Sequence, residues 1–213
     1  MSSYNEVDEF DALDFLTFLK KVNDLNPVTY QYFNQLFRHR TIILNEEIGE
    51  SLIETVWLPL REFEEDDSNE PITLILNSIG GSVSDGFFLA HYLAQYKKKL
   101  NIIVTGYAAS MAAVILSGGG KNDNVTRYCY PSTYGLIHDG YVVISASESK
   151  TAEDIMGFNK RVDEDIRSFI LNNTKITPEL FDAHARHQWF LNAHEMLEYG
   201  LIDKIIGEDA HVD

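Results

Sequence analysis

Apolar positions along the chain form short continuous runs that alternate with longer stretches of helical spacing. The runs ITLIL (72–76), NIIVT (101–105) and TYGLIH (133–138) have the length and β-branched content of buried strands. Helical spacing follows the first run, and MAAVILS begins a second apolar helix that ends at Gly118. Strands that alternate with helices predict an α/β fold, in which functional groups gather at the strand ends.

The longest amphipathic stretch follows the third run, from about Thr151 to Asn172. Thr151 and Asp154 are spaced like a helix-capping pair. Apolar residues then recur at steps of three or four: Ile155, Phe158, Val162, Ile166 and Phe169. This pattern predicts a long helix whose apolar face has little to cover it within one subunit, so we expect the protein to self-associate.

Capping residues and turn residues predict the remaining elements. Helix starts are indicated at Pro27 after Asn26, at Pro178 after Thr177, and after Asn192. The last of these helices ends at Gly200, and LIDKII (201–206) is expected to close the fold as a strand. The other segments are predicted as turns (NSIGGSV and GYAAS), a solvated loop (EFEEDDSNE, 62–70) and a surface insertion (GGGKNDNVTRY, 118–128).

Composition narrows the class of protein. With 213 residues and 45% apolar content, the chain can bury one substantial core without disulfides, and we expect no metal and no cofactor. Cys129 is the single cysteine and is expected to be a small buried hydrophobe in a reducing compartment. The acidic N-terminus, the absence of a bilayer-length apolar run and a formal charge of -16 predict a cytoplasmic protein that binds neither nucleic acid nor membranes.

Three successive strand ends carry glycine, serine and histidine residues. Gly80 and Gly81 follow the first strand, Ser110 follows the second at the start of a helix, and His138 ends the third. Each alone has a simpler explanation: a tight turn, a helix-capping serine and a structural histidine. Together they supply oxyanion donors, a nucleophile and a base, because a serine hydroxyl needs a neighbouring base before it can attack a carbonyl.

Four segments in this order resemble the motifs of the ClpP-type (caseinolytic) serine peptidases. They are LNSIGGSVSDG, GYAASMAA, LIHDG and AHEMLEYGLIDKII, and the similarity runs from about Gln31 to Ile206. The resemblance implies a ClpP/crotonase-like α/β fold, a stack of β-β-α units with a protruding handle helix at about 147–173. It implies Ser110 as the catalytic nucleophile and His138 as the base.

The same resemblance implies further roles and an organisation for the chain. The backbone N–H groups of Gly81 and Met111 match the oxyanion hole. Residues 1–28 would form an acidic N-terminal arm and helix in the axial region, 29–208 the peptidase domain and 209–213 a C-terminal tail. Two stacked heptameric rings would enclose a chamber where peptides or unfolded polypeptide are cut, with an AAA+ unfoldase as a partner.

The third catalytic position departs from the family pattern, because Gln188 occupies the place of the usual aspartate. A glutamine can accept the imidazole N–H through its amide oxygen and hold the ring, but it cannot supply the charge that stabilises imidazolium. Asp182 and Asp139 are conceivable substitutes. Asp139 is disfavoured, because it is adjacent to His138 and neighbouring strand residues point to opposite faces.

Other departures concern contacts with partners. Thr73 and Ile75 stand where the family often has aromatic residues of the unfoldase-docking pocket, and some thirty acidic and aromatic residues replace the short propeptide and axial loop. After His138, the segment DGYVVISASESK replaces a glycine-rich strand that pairs the two rings, although 142–144 could still form that strand.

Three hypotheses follow from these observations. The first is an active ring-forming serine endopeptidase. The second is a catalytically weak or inactive ring subunit that keeps the architecture and serves as a scaffold or as the partner of an active paralogue. The third is a crotonase-like acyl-CoA enzyme, which also places two backbone N–H groups around a carbonyl oxygen but needs an acid/base carboxylate pair that the sequence does not indicate.

Overall fold

The computed structural model describes residues 27–138, 149–185 and 187–208 of the chain. The strands are β1 (Thr41–Leu44), β2 (Ile72–Ser78), β3 (Leu100–Ala109), β4 (Val125–Cys129), β5 (Tyr134–Ile137), β6 (Trp189–Asn192) and β7 (Lys204–Ile205). The helices are α1 (Pro27–His39), α2 (Leu58–Glu65), α3 (Val83–Leu93), α4 (Met111–Gly118), α5 (Ser149–Asn173), α6 (Pro178–His184) and α7 (Ala193–Glu198). A π-helical turn (Ile53–Trp57) leads into α2, and a 3-10 turn (Gly119–Lys121) follows α4.

These strands join in one predominantly parallel sheet, in which β1, β2, β3, β4 and β7 are neighbours in that order. The long strand β3 changes its neighbour along its length: Leu100–Val104 pair with β4, and Tyr107–Ala109 pair with β5. Strand β6 pairs with β5 in the antiparallel sense. The sheet therefore branches at β3, and the carboxyl ends of β2, β3 and β5 meet beyond the branch.

The core lies between the sheet and the helices that follow its strands. Side chains of β2 alternate between buried and half-buried from Ile72 to Ser78, as expected of a strand with one face on the core. Helix α4 is buried along its whole length. It packs closely on α3 because Gly118 has no side chain, and a Cβ there would lie 2.4 Å from the Ala90 carbonyl oxygen. This packing holds the C-terminal end of α4 against α3.

Several sequence predictions of local structure are confirmed. Pro27 begins α1, Thr177 accepts a hydrogen bond from the Leu180 N–H at the start of α6, and Asn192 forms a capping box with Glu195 at α7. The long amphipathic helix is observed as α5. The helix predicted before Asn26, and the segment 142–144, lie outside the described residues. Within the described ranges, no helix has the length and apolar content needed to cross a bilayer.

Three local predictions are wrong, and a fourth, the closing strand in LIDKII, is confirmed over two residues only. Most of GYAAS is strand rather than turn, because β3 continues to Ala109 by pairing with β5. The acidic run begins inside α2, which ends at Glu65, and LIDKII contributes only a two-residue strand. The supposed surface insertion contains β4, whose Arg127 is 3% exposed and is held by the Asp203 carboxylate.

Candidate active site

The segment Gly80–Ser82 is held in an extended path beside Ile48. The Ile48 N–H donates to the Gly80 carbonyl oxygen at 2.8 Å, and the Ser82 N–H donates to the Ile48 carbonyl oxygen at 2.8 Å. Gly81 lies between these two bonds, and a Cβ at this position would lie 2.2 Å from the Ile48 oxygen. Among the described residues, no hydrogen bond uses the Gly81 N–H. Glycine is therefore required here, and its N–H is available to a ligand.

Ser110 lies at a strained bend between β3 and α4. Its φ of 55° and ψ of -123° are rare for a residue with a side chain, and such conformations cost about 1 to 3 kcal/mol. The Ser110 N–H is anchored to the Leu136 carbonyl oxygen of β5 at 2.8 Å. The side chain makes no capping hydrogen bond although Ser110 is the N-cap residue of α4. The simpler explanation of Ser110 as a plain capping serine is therefore wrong.

Gly80 provides the space that the bend needs. A Cβ at Gly80 would lie 2.6 Å from the Ser110 Cβ and 3.0 Å from the Met111 backbone nitrogen. The glycine segment therefore lies directly against Ser110. A tight turn with no other role would not need this close contact, so that simpler explanation of the two glycines is insufficient. A glycine conformation with φ of 100° at Gly80 completes the close approach.

The Met111 N–H is the second free backbone donor at this bend. Met111 is the first residue of α4, so its N–H has no acceptor within the helix, and no other described residue accepts from it. The helix dipole also favours negative charge at this end. The N–H groups of Gly81 and Met111 flank Ser110, which is the arrangement expected of an oxyanion hole.

His138 and Gln188 lie at the end of the β5–β6 pair. The antiparallel register pairs Ile137 with Trp189, and one further step along both chains brings His138 opposite Gln188. His138 is half-buried and Gln188 is exposed. The two residues are thus neighbours by strand register.

A single cleft of about 720 Å³ contains four of the five predicted site residues: Gly81, Ser110, Met111 and His138. Gln188 does not line it. Apolar side chains form most of the wall: Val83, Met111, Val114, Ile137, Phe158, Val162, Ile166 and Ile170. Two carboxylates that sequence analysis did not single out, Glu47 and Asp163, also line it. Spacing along α5 places Asp163 beside Val162 and Ile166, but the segment around Glu47 carried no sequence signal of a role in the site.

The proposed carboxylate substitutes have other positions. Both Asp182 oxygens accept hydrogen bonds from Arg167, at 2.7 and 2.9 Å, and Asp182 does not line the cleft. Asp139 lies outside the described residues. Asp182 is thus engaged with the handle helix α5 rather than with His138.

Two other kinds of reactive site were considered: a cysteine nucleophile and a metal centre. Cys129 is fully buried, and burial raises the pKa of its thiol, so it is the small core residue that the sequence predicted. Among the described residues, no group of histidine, cysteine or acidic side chains is arranged to hold a metal ion.

Comparison with known proteins agrees with this geometry. Residues 24–209 match the family model described as Clp protease. The chain is 30% identical over 181 residues to the ATP-dependent Clp protease proteolytic subunit 1 of Shouchella clausii, covering 84% of this chain and 90% of that protein. An asparagine-to-aspartate mutant of ClpP1 from Listeria monocytogenes superposes with a TM-score of 0.69 and 26% identity, covering 81% of this chain and 94% of that chain. The chain therefore belongs to the Clp protease family and is a ClpP-type serine peptidase.

Proposed function

We propose that Ser110 is the nucleophile and His138 the general base of an endopeptidase that cuts peptides or unfolded polypeptide. The Ser110 oxygen attacks the scissile carbonyl, and His138 takes the hydroxyl proton. The N–H groups of Gly81 and Met111 bind the oxyanion that forms. His138 then gives the proton to the leaving amine, and water releases the acyl group from Ser110 by the same steps in reverse order.

One observation carries this proposal: a strained serine, spared from capping its own helix, lies between two unused backbone donors in the cleft that also contains His138. A structural serine has no need of a conformation that costs about 1 to 3 kcal/mol. A binding site for a neutral ligand has no need of two unused backbone N–H groups in one cleft. The combination serves a reaction in which an oxygen becomes negative beside a nucleophile.

The residue that orients the proposed base is less clearly defined than the contacts that position the nucleophile. We propose Gln188 as the residue that orients His138, because the strand register brings the two opposite one another. Its amide oxygen can accept the ring N–H, and Gln188 is exposed, so its side chain has room to turn toward His138. A neutral amide stabilises imidazolium less than a carboxylate does, so peptide hydrolysis is expected to be slow for this family.

The cleft indicates which peptides fit. Its apolar wall, which includes Val114, Ile166 and Ile170, favours an apolar side chain next to the scissile bond. No lysine or arginine lines the described part of the cleft. Substrates are thus proposed to be extended segments with an apolar residue at the bond that is cut.

We also infer that the chain self-associates. The similar protein from Shouchella clausii is named as a subunit, which supports this inference. We propose two stacked heptameric rings in the cytoplasm. Exposed apolar side chains on the handle helix and on the β5–β6 pair support an assembly that covers them: Met156, Phe158, Tyr134 and Phe190. The relative is also named as ATP-dependent. Delivery of substrate by an AAA+ unfoldase is proposed on that basis.

A covalent probe tests the nucleophile. The purified protein is treated with a fluorophosphonate, and the labelled residue is found by mass spectrometry of its peptides. We expect one adduct on Ser110, none in Ser110→Ala, and unchanged labelling in the matched control Ser84→Ala, which removes another hydroxyl from the same cleft. An assembled protein that forms no adduct would contradict the proposal and favour the catalytically inactive ring subunit.

A mass measurement tests the assembly. Analytical ultracentrifugation at micromolar concentration should show a species of about seven or fourteen times the 24.3 kDa of one chain. Serine substitutions of Met156 and Phe158 together are expected to shift the population to smaller species, because they remove apolar surface that the assembly covers. A wild-type protein that sediments only as a monomer would contradict the ring.

A further inference from the structure

Strand β3 bulges at the point where it leaves one neighbouring strand for another. Leu76 of β2 pairs with Val104 of β3, whereas Ser78 pairs with Ala108. One residue of β2, Asn77, therefore lies opposite three residues of β3. Bulges bend a strand and are over-represented next to active sites, where they redirect a side chain or end a pairing. Beyond this bulge, β3 turns from β4 to β5 and then reaches the nucleophile.

The Asn77 side chain fills this bulge. Its amide oxygen accepts a hydrogen bond from the Tyr107 N–H at 2.9 Å. Gly106 leaves space for this contact, because a Cβ there would lie 2.5 Å from the same amide oxygen. Ser110 follows three residues after Tyr107, and its own N–H is anchored on β5. The amide oxygen of Asn77 thus holds the start of the segment that carries the nucleophile.

The amide nitrogen of the same side chain holds the loop that positions an oxyanion donor. The Asn77 amide N–H donates to the Asn45 side-chain oxygen at 2.7 Å. Asn45 follows β1 and lies three residues before Ile48, whose backbone makes both hydrogen bonds to the glycine segment. One asparagine side chain therefore links the strand that carries Ser110 to the loop that fixes the Gly81 N–H.

We propose that Asn77 is a positioning residue that keeps the nucleophile and the oxyanion donor in register. This inference rests on the proposed roles of Ser110 and Gly81. Asn77 is not among the residues that line the described part of the cleft, so it acts through Tyr107 and Asn45 rather than by touching substrate. A displacement of about 1 Å between reacting groups costs about 10²-fold in rate. Loss of Asn77 should therefore lower kcat and leave KM nearly unchanged, because the substrate contacts remain.

Two substitutions of Asn77 separate positioning from packing. Asn77→Leu keeps the branched shape of the side chain but makes no hydrogen bond. In Asn77→Asp, a carboxylate oxygen can accept the Tyr107 N–H, and the Asn45 amide can turn to donate its NH2 group. We expect Asn77→Leu to lower peptide kcat, and the rate constant of fluorophosphonate labelling at Ser110, by at least about 10-fold. Asn77→Asp should restore both to within about three-fold of the unaltered protein.

Asn122→Leu is the matched control for stability. The Asn122 amide also joins two parts of the fold, because it donates to the carbonyl oxygens of Leu93 and Tyr96 at 2.9 and 2.8 Å, and Asn122 does not line the cleft. Urea unfolding should show lower stability for both leucine variants, whereas kcat and labelling should fall only in Asn77→Leu. If both variants lose stability and both keep the labelling rate of the unaltered protein, Asn77 is only structural and the proposal is overturned. A rise in KM with unchanged kcat would overturn it as well.

Asn45 supplies the test if Asn77→Leu does not fold. Asn45 is exposed, and Asn45→Ala removes only the link to the loop that fixes the glycine segment. Labelling of Ser110 should slow at least about three-fold in Asn45→Ala. It should be unchanged in Asn45→Asp, whose carboxylate still accepts from the Asn77 amide. Equal labelling rates in Asn45→Ala and in the unaltered protein would overturn the proposed link.

Labelling of the unaltered protein shows which proposal has failed. If fluorophosphonate labels Ser110 in the unaltered protein and at the same rate in folded Asn77→Leu, only the positioning role of Asn77 fails. If Ser110 is not labelled in the assembled, unaltered protein, the proposed function fails and the positioning role fails with it.

Discussion

The glycine–serine region and the histidine–glutamine region of the site are built in different ways. In the first, Gly81, Ser110 and Met111 act through atoms whose positions are set by the backbone and by the packing of α4. In the second, His138 and Gln188 depend on side-chain torsions at the end of two four-residue strands, and Gln188 is exposed. In the proposed mechanism, the nucleophile and the oxyanion donors are thus positioned by the backbone, whereas the base is positioned through its side-chain torsions.

Removal of the base is expected to have the largest effect. His138→Ala should lower peptide turnover by about 10³-fold, since general acid–base groups contribute about 10²- to 10⁴-fold. The matched control is His194→Ala, which removes an exposed histidine that pairs with Glu208. Turnover of a fluorogenic peptide with an apolar residue before the cut site measures both. Equal activity in the two variants would mean that His138 is not the base.

Gly81→Ala, which adds a methyl group in the glycine–serine region, should cause the next largest loss of turnover. Gly81→Ala drives a Cβ to 2.2 Å from the Ile48 oxygen and displaces the N–H donor. We expect about 10²- to 10³-fold lower turnover and about 2 to 3 kcal/mol lower stability. Gly157→Ala is the control, because nothing lies within 4 Å of its Cβ in α5, and alanine there should be neutral or stabilise by up to about 1 kcal/mol.

Turnover and unfolding are compared in both glycine variants, by peptide hydrolysis and by denaturant melts followed by circular dichroism. If Gly81→Ala unfolds before it can be assayed, fluorophosphonate labelling at low temperature still reports whether Ser110 reacts. A folded Gly81→Ala protein with wild-type turnover would show that this N–H does not stabilise the oxyanion.

A smaller change in turnover is expected at Asp182, which the sequence offered as a possible carboxylate partner of His138. Its carboxylate is paired with Arg167 on an exposed surface, so Asp182→Asn should change turnover less than about two-fold and stability by less than about 1 kcal/mol. Peptide kinetics over pH 6 to 9 provide the check. A loss as large as that of His138→Ala would make Asp182 the group that orients the base.

The smallest effect is expected at Cys129, outside both regions. Burial raises the pKa of this thiol above its ordinary value, so at every pH below that value less thiolate is present than in an exposed cysteine. Iodoacetamide at pH 8 should therefore leave the native protein unmodified, by intact mass, and fully active. Alkylation with loss of activity, prevented in Cys129→Ala, would contradict this.

The residues of the glycine–serine region were predicted from the sequence more completely than other parts of the fold. Gly81, Ser110 and Met111 lie in runs of small residues at strand ends, so pattern and chemistry coincide there. The strained torsions of Ser110 and the anchoring carbonyl of Leu136 could not be predicted, because they depend on the pairing of β3 with β5. The sequence also places Gln188 at the altered position, and the register brings it opposite His138.

Long-range partners account for what the sequence did not reveal. Strand β4 contains Arg127, whose charge suggests a surface segment, but Asp203, 76 residues later, neutralises it inside the fold. The stretch that holds the glycines extended is centred on Ile48, and nothing near it in sequence signals that contact. Both errors arise because a local pattern does not show which distant group will satisfy a charge or a hydrogen bond.

The central claim is that a neutral Gln188 limits proton transfer in the proposed site. The most direct measurement compares the peptide kcat of Gln188→Asp with that of Gln188→Asn, since these side chains have the same shape and differ in charge. We predict that Gln188→Asp exceeds both Gln188→Asn and the unaltered protein by at least about 10-fold, with little change in KM. Equal kcat for the aspartate and asparagine variants would contradict the account.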